Sequence, residues 1–189
     1  DQKQHVELAR DIAQRFNHIY GETFVVPEPI IPDVGARVMG LNDPTIKMAK
    51  SHSHIRGHAI RILDSPDEIR RTIMRAVTDS NNEIRFSDNP EKAGVTNLLE
   101  IYKVLTKKNT ADVEADFDRA KGYGDLKSAV SDVVIDELKP IQKRYRELMS
   151  DVEELDVLLS RGAERATATS APKLNTVKER VGLILPRDY

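Results

Sequence analysis

The sequence predicts a mostly α-helical chain in which a short mixed α/β segment precedes a small helical bundle. Apolar residues recur at helical spacing over Gln2–Phe16 and again, in several stretches, beyond Asp64. Between them lies a β-branched and aromatic run, Thr23–Val26, closed by Pro27. The third observation is Ser65-Pro66-Asp67-Glu68, a capping box with proline at the first helical position, which marks where the bundle begins.

Taken in order, Val6, Ala9, Ile12, Ala13 and Phe16 form the apolar stripe of a first helix, and Gly21 stops it. Thr23–Val26 reads as a strand. Pro27, Pro29 and Pro32 then prevent regular structure, and a brief extended segment is expected over residues 36–41 before Asn42, Asp43 and Pro44 turn the chain. Residues 46–57, rich in Lys, Ser, His and Arg without periodicity, read as an exposed, mobile loop. A helix starts at Pro66, and a second carries Leu98, Ile101, Tyr102 and Leu105. Thr110 is expected to cap a third that reaches Phe117 and is terminated by Gly122 and Gly124. The longest amphipathic pattern runs from Leu126 to Leu148, with Pro140 expected to kink it. Ser150-Asp151-Val152-Glu153 reads as another capping box, and the low-complexity run ATATSAP is expected to interrupt the chain before a last helix from Leu174.

Composition bounds the function. With 29 Lys+Arg against 31 Asp+Glu in 189 residues, the chain is not uniformly basic, so any nucleic-acid contact must be local. Zero cysteines exclude a disulfide framework, a thiolate metal site and a thiol nucleophile. No run approaches the roughly 18 apolar residues of a membrane span, and the charged start DQKQHVELARD is unlike a signal peptide. A cytoplasmic protein is expected, with neither membrane nor DNA as partner.

Three places carry residues suited to chemistry. Lys47-Met48-Ala49-Lys50-Ser51 sets two ammonium groups beside a hydroxyl and backbone N–H groups, which suits a polyphosphate, although two lysines in a loop are by themselves more often solvated surface. His52, His54 and His58 have metal-ligand chemistry, but no carboxylate lies inside the run to complete a sphere, and no metal is assigned. Lys121-Gly122-Tyr123-Gly124 joins two helices; Tyr123 beside Lys121 would stack on an unpaired base, or would pack a helix junction. His5, on the edge of the first apolar stripe, reads as a hydrogen-bonded, partly buried residue.

The order of motifs resembles the second half of bacterial tryptophanyl-tRNA synthetases, class I enzymes. Asp1-Gln2-Lys3-Gln4-His5, Gly35-Ala36-Arg37-Val38-Met39 and Asp43-Pro44-Thr45 lead into the lysine loop. Ala76–Ser80, Gly94–Leu99, Lys121–Gly124 and Pro140–Tyr145 continue the likeness over nearly the whole chain. The first motif and the loop are shared with tyrosyl-tRNA synthetases; the helical motifs favour tryptophan. The resemblance implies an α/β edge of a Rossmann-type catalytic core over residues 1–63, with the signature loop at 47–51. A helical anticodon and tRNA-binding domain would occupy 64–171, and a C-terminal helix and tail 172–189.

The resemblance also implies roles. Asp1 would contact ATP, Gln2 would lie near the substrate, and Val38 would lie against the adenine. Lys47, Met48, Ala49, Lys50 and Ser51 would close over the triphosphate, with Lys47 and Lys50 as the catalytic cations and Mg2+ carried on the phosphates. Lys121 and Tyr123 would face tRNA. Ala49 stands where the family loop has a central serine, and His52 where an acidic residue commonly follows. The first half of the core, with the tryptophan pocket, is expected to be missing. The expected function is therefore the C-terminal portion of a homodimeric tryptophan–tRNA ligase, inactive by itself; the alternative is a noncatalytic helical RNA-binding or regulatory module.

Overall fold

The computed structural model describes residues 2–31, 35 and 37–183. Its six α-helices are α1 (Lys3–Tyr20), α2 (Pro66–Met74), α3 (Ala93–Thr106), α4 (Thr110–Asp116), α5 (Tyr123–Ser150) and α6 (Val152–Arg180). Two compact units share them: Asp1–Ile31 with Glu147–Tyr189, and Pro32–Arg146.

In the first unit, Thr23–Val26 is not a strand. Asn17, near the end of α1, takes the place of a neighbouring strand. Its Oδ1 accepts from the N–H groups of Thr23 and Phe24 at 2.9 and 2.8 Å, and its Nδ2 donates to the Phe24 carbonyl at 2.8 Å. Phe16 meets Phe24 edge-on and Tyr20 at a tilt, with centroids 5.0 and 4.8 Å apart. Lys173 donates to the Thr23 carbonyl and Arg180 to its hydroxyl, at 2.7 and 2.8 Å, so both ends of the unit's sequence meet at Thr23. His5 is hydrogen-bonded as expected but exposed, its ring 2.6 Å from Gln2 Oε1.

The ATATSAP run does not interrupt the chain. α6 continues through Pro172 to Arg180, the run being rich in alanine, the best helix former, and hydroxyls within the helix are satisfied by its own carbonyls. Thr169 donates to the Arg165 carbonyl at 3.0 Å and Thr176 to that of Pro172 at 3.1 Å. The N-cap of α6 is Asp151, whose carboxylate accepts from Glu154 N–H at 2.8 Å; Ser150 instead closes α5.

The second unit holds the main core. α2 begins with the capping box as read: Ser65 Oγ accepts from Glu68 N–H, and Glu68 accepts from Ser65 N–H at 2.8 Å. Ile69 and Ile73 of α2 are buried with Val95, Leu98 and Leu99 of α3 and Leu126, Val130 and Val134 of α5. Gly94 permits this packing, since a Cβ there would collide with the Val77 carbonyl. α4 is capped by Asn109 rather than Thr110 and ends before Phe117, whose ring meets Tyr102 edge-on at 5.2 Å. Gly122 precedes α5 and Gly124 lies inside it, so neither terminates α4. α5 continues through Pro140, and Gln142 donates to the carbonyls of Ile62 and Asp64 at 2.8 and 3.0 Å.

Candidate functional site: the lysine loop

The lysine loop is built on the turn Asp43-Pro44-Thr45. The Thr45 hydroxyl and N–H both donate to Asp43 Oδ1, at 2.6 and 2.9 Å, and hold the Asp43 carboxyl below its usual range. On either side the chain pairs with itself: Gly40 N–H donates to the Ile46 carbonyl at 2.7 Å, and Met48 N–H to the Val38 carbonyl at 3.0 Å. This is an isolated antiparallel bridge of Met39 and Lys47, too short for a strand, and it is the realised form of the extended segment expected at 36–41; residue 36 lies outside the described residues.

Two side chains from elsewhere fix the bridge. Asn97 of α3 grips the Met39 backbone, accepting from its N–H and donating to its carbonyl. His58, only 2% exposed, places Nδ1 at 2.8 Å from Asn42 Oδ1 and Nε2 at 3.3 Å from the Lys47 carbonyl. The ring lies over Gly40, where a Cβ would come within 2.6 Å of Nδ1 and 2.9 Å of the Asp43 carbonyl. Beyond Lys47 the chain forms a 3-10 turn at Lys50–His52 and further tight turns up to His58. Residues 46–57 are therefore a turn-rich segment with a partly buried His52, and not uniformly exposed.

Lys47, Met48 and Ala49 are half-buried, while Lys50 and Ser51 are exposed. Met48 packs against the core, and Lys50 lines a cleft of about 840 Å³ with Met48, Ala49, Ile60, Ile62 and Leu63. Val38 sits beside this loop, half-buried. Gln2 is exposed and belongs to the other compact unit, and Asp1 lies outside the described residues. His52 and His58 meet edge-on with centroids 5.4 Å apart; among the described residues no group of three or more His, Asp or Glu could hold a metal ion.

Tyr123 is not an exposed aromatic. Its ring is 7% exposed, and its hydroxyl donates to Asp79 Oδ1 at 2.6 Å, so no face is available for stacking on a base. Burial, and then the Asp79 hydrogen bond and charge, push the Tyr123 phenol up to about 12. Lys121 is exposed, with its backbone N–H donating to Asp125. The sequence reading missed the parts that Asn97 and His58 play in holding the loop. Asn97 had a signal, an amide between Val95 and Leu98 on the apolar face of its helix, which has to find a polar partner when buried. His58 stood out only as one of three histidines with metal-ligand chemistry, and nothing local pointed to its contacts with Asn42 and the Lys47 carbonyl.

A family model described as tRNA synthetases class I (W and Y) matches residues 1–139. The chain belongs to this family. It is 51% identical over 184 residues to the tryptophan–tRNA ligase of Wolinella succinogenes, covering 97% of this chain and 55% of that protein. The ligase of Caldanaerobacter subterraneus is 50% identical over 98% of the chain and 55% of its own length. The chain thus spans about half the length of the curated relatives it matches. Among solved structures, Mycoplasma pneumoniae tryptophanyl-tRNA synthetase superposes with a TM-score of 0.85 at 33% identity, over 97% of this chain and 54% of that one. The Campylobacter jejuni enzyme complexed with ADP and tryptophan gives 0.64 at 29% identity, over 96% and 55%. Among the described residues no helix is long and apolar enough to cross a membrane.

Proposed function

We propose that this chain is the C-terminal portion of a tryptophan–tRNA ligase, with residues 1–63 contributing to the catalytic core and 64–171 to tRNA binding, while 172–189 comprise the end of α6 and the residues after it rather than a separate helix. The observation that carries the proposal is the lysine loop, whose bridge at Met39 and Lys47 is clamped by Asn97 and His58, in a chain about half identical to curated ligases. In the complete enzyme the tryptophan carboxylate attacks the α-phosphorus of ATP and pyrophosphate leaves. The tRNA 3′-terminal hydroxyl then attacks the aminoacyl carbonyl and AMP leaves.

Lys47 and Lys50 would neutralise charge that builds on the departing pyrophosphate, and transfer no proton. The backbone N–H groups of Ala49 to Ser51 would add donors where Ala49 provides no hydroxyl. Val38 would border the adenine, and Asp1 and Gln2 the ribose and substrate. Mg2+ would travel with the triphosphate. Lys121 would be an exposed cation on the tRNA side. The complete enzyme would be a cytoplasmic homodimer.

Tryptophan-dependent ATP–pyrophosphate exchange tests the reading in the full-length protein that carries this chain. Exchange with tryptophan and charging of its tRNA are expected; exchange with tyrosine alone, or with neither, would overturn it. These 189 residues by themselves are expected to give no exchange, because both halves of the nucleotide site are needed to hold the reactants in line.

A further inference from the structure

Four arginines, Arg56, Arg61, Arg71 and Arg75, line one open cleft of about 580 Å³ in the second compact unit. Arg71 and Arg75 stand four residues apart at the end of α2, on one face, with a rise of about 6 Å between them. Arg70, one residue away, faces elsewhere and pairs with Asp132 at 2.5 Å. Arg56 comes from the turn-rich segment after the lysine loop, and Arg61 from the approach to α2, so three separate stretches of chain converge on the cleft.

The two carboxylates in the wall are already engaged. Asp64, 7% exposed, accepts from Arg61 N–H at 2.9 Å and Arg61 Nε at 2.8 Å. Glu68 is committed to the capping box with Ser65, whose hydroxyl and N–H hold its carboxyl below the usual range. Arg56, Arg71 and Arg75 form no ion pair among the described residues and are exposed. Four arginines against two carboxylates give this groove a net of two positive charges in a chain of net charge −2.

We infer that this cleft binds the phosphodiester backbone of an RNA strand. Guanidinium forks pair bidentately with phosphate oxygens, and the step between Arg71 and Arg75 is comparable with that between neighbouring phosphates of one strand. Exposed cations along an open groove suit an extended polyanion better than a small molecule, which needs enclosure to be held. The inference rests on the tRNA ligase reading, and names where on this chain the RNA backbone is held. Arg61 also borders the Lys50 cleft, so the competing source of phosphate is pyrophosphate.

The test uses the full-length protein with Arg71→Glu/Arg75→Glu and, as a charge-removing companion, Arg71→Gln/Arg75→Gln. Aminoacylation is measured against tRNA concentration at several salt concentrations, with ATP–pyrophosphate exchange on the same preparations. Both variants should raise the KM for tRNA, the Glu pair by about tenfold or more at low salt. The slope of log affinity against log salt should become shallower by about 1.5 to 2, the share of two phosphates. Exchange should stay within about twofold of wild type, which also reports that the variants are folded. Unchanged tRNA dependence in both variants overturns the inference, as does a proportionate loss of exchange, which would assign the cleft to pyrophosphate. A wild-type protein that exchanges with tryptophan but whose variants charge normally defeats the cleft alone, whereas a wild type without tryptophan-dependent exchange defeats the ligase reading.

Discussion

Asn97 holds Met39 by both of its backbone polar groups, accepting from the N–H at 2.9 Å and donating to the carbonyl at 3.0 Å across 58 residues of sequence. Asn97 is 6% exposed and Met39 half-buried, so the Met39 N–H and carbonyl would lose their partner where access to water is restricted. Asn97→Ala should cost about 2 to 4 kcal/mol of unfolding free energy in urea, two bonds and the desolvation of what they leave behind. A midpoint equal to wild type would show that the clamp contributes nothing.

His58 supports the same loop through Asn42 and the Lys47 carbonyl. His58→Phe retains a ring over Gly40 but abandons Asn42 and the Lys47 carbonyl, which should cost about 1 to 3 kcal/mol and speed amide exchange over residues 46–52. Exchange that changes equally throughout the protein would reduce His58 to a packing residue.

Tyr123 gives a pH signature. Its phenol is raised to about 12 in the folded protein against an ordinary value of 10.0, so the folded state keeps a proton that the unfolded chain releases. The contribution is fully present below pH 10 and is lost as pH rises towards about 12, amounting to about 2 to 3 kcal/mol. Tyr123→Phe should be less stable than wild type at pH 8, and the gap should narrow across the alkaline window. Parallel alkaline curves for the two proteins would contradict this.

Lys47→Ala and Lys50→Ala, in the complete protein, should each slow adenylate formation by about 10² to 10³-fold, by analogy with removing an oxyanion-hole donor. Tryptophan affinity should change little. Unchanged single-turnover rates in both variants would remove the loop from the chemistry.

Two glycines in helices should answer alanine in opposite ways. Gly94→Ala drives a Cβ into the Val77 carbonyl and should destabilise by about 1 to 3 kcal/mol or more, the cost of overpacking. Gly162 in α6 has open space where its Cβ would go, and Gly162→Ala should stabilise by about 0.4 to 1 kcal/mol. Melting temperatures that move the same way would refute the steric reading.

Local chemistry was legible wherever the determinant was itself local. Ser65, Pro66 and Glu68 carry the start of α2 within four residues, and the spacing of Leu126, Val130 and Val134 carries the buried face of α5. The lysine loop was legible as a motif. What escaped depends on residues distant in sequence. Thr23–Val26 has strand propensity, which describes fit to a sheet surface, but its polar groups went to Asn17. Pro172 looked like a breaker, yet a helix interior can forgo one N–H when the surrounding residues favour it. Tyr123 offered no local clue that its hydroxyl would find Asp79, 44 residues earlier.

The clamp on Met39 also sets a timetable. A ribosome delivers the lysine loop well before Asn97 and α3, and the short bridge at Met39 and Lys47 has too few bonds of its own to persist against the entropy of an open chain. During synthesis this stretch therefore waits, unstructured and open to proteases, until α3 clears the exit tunnel and closes on it. Ordering the lysines is then a late event in folding, coupled to docking of a helix almost fifty residues further along the chain.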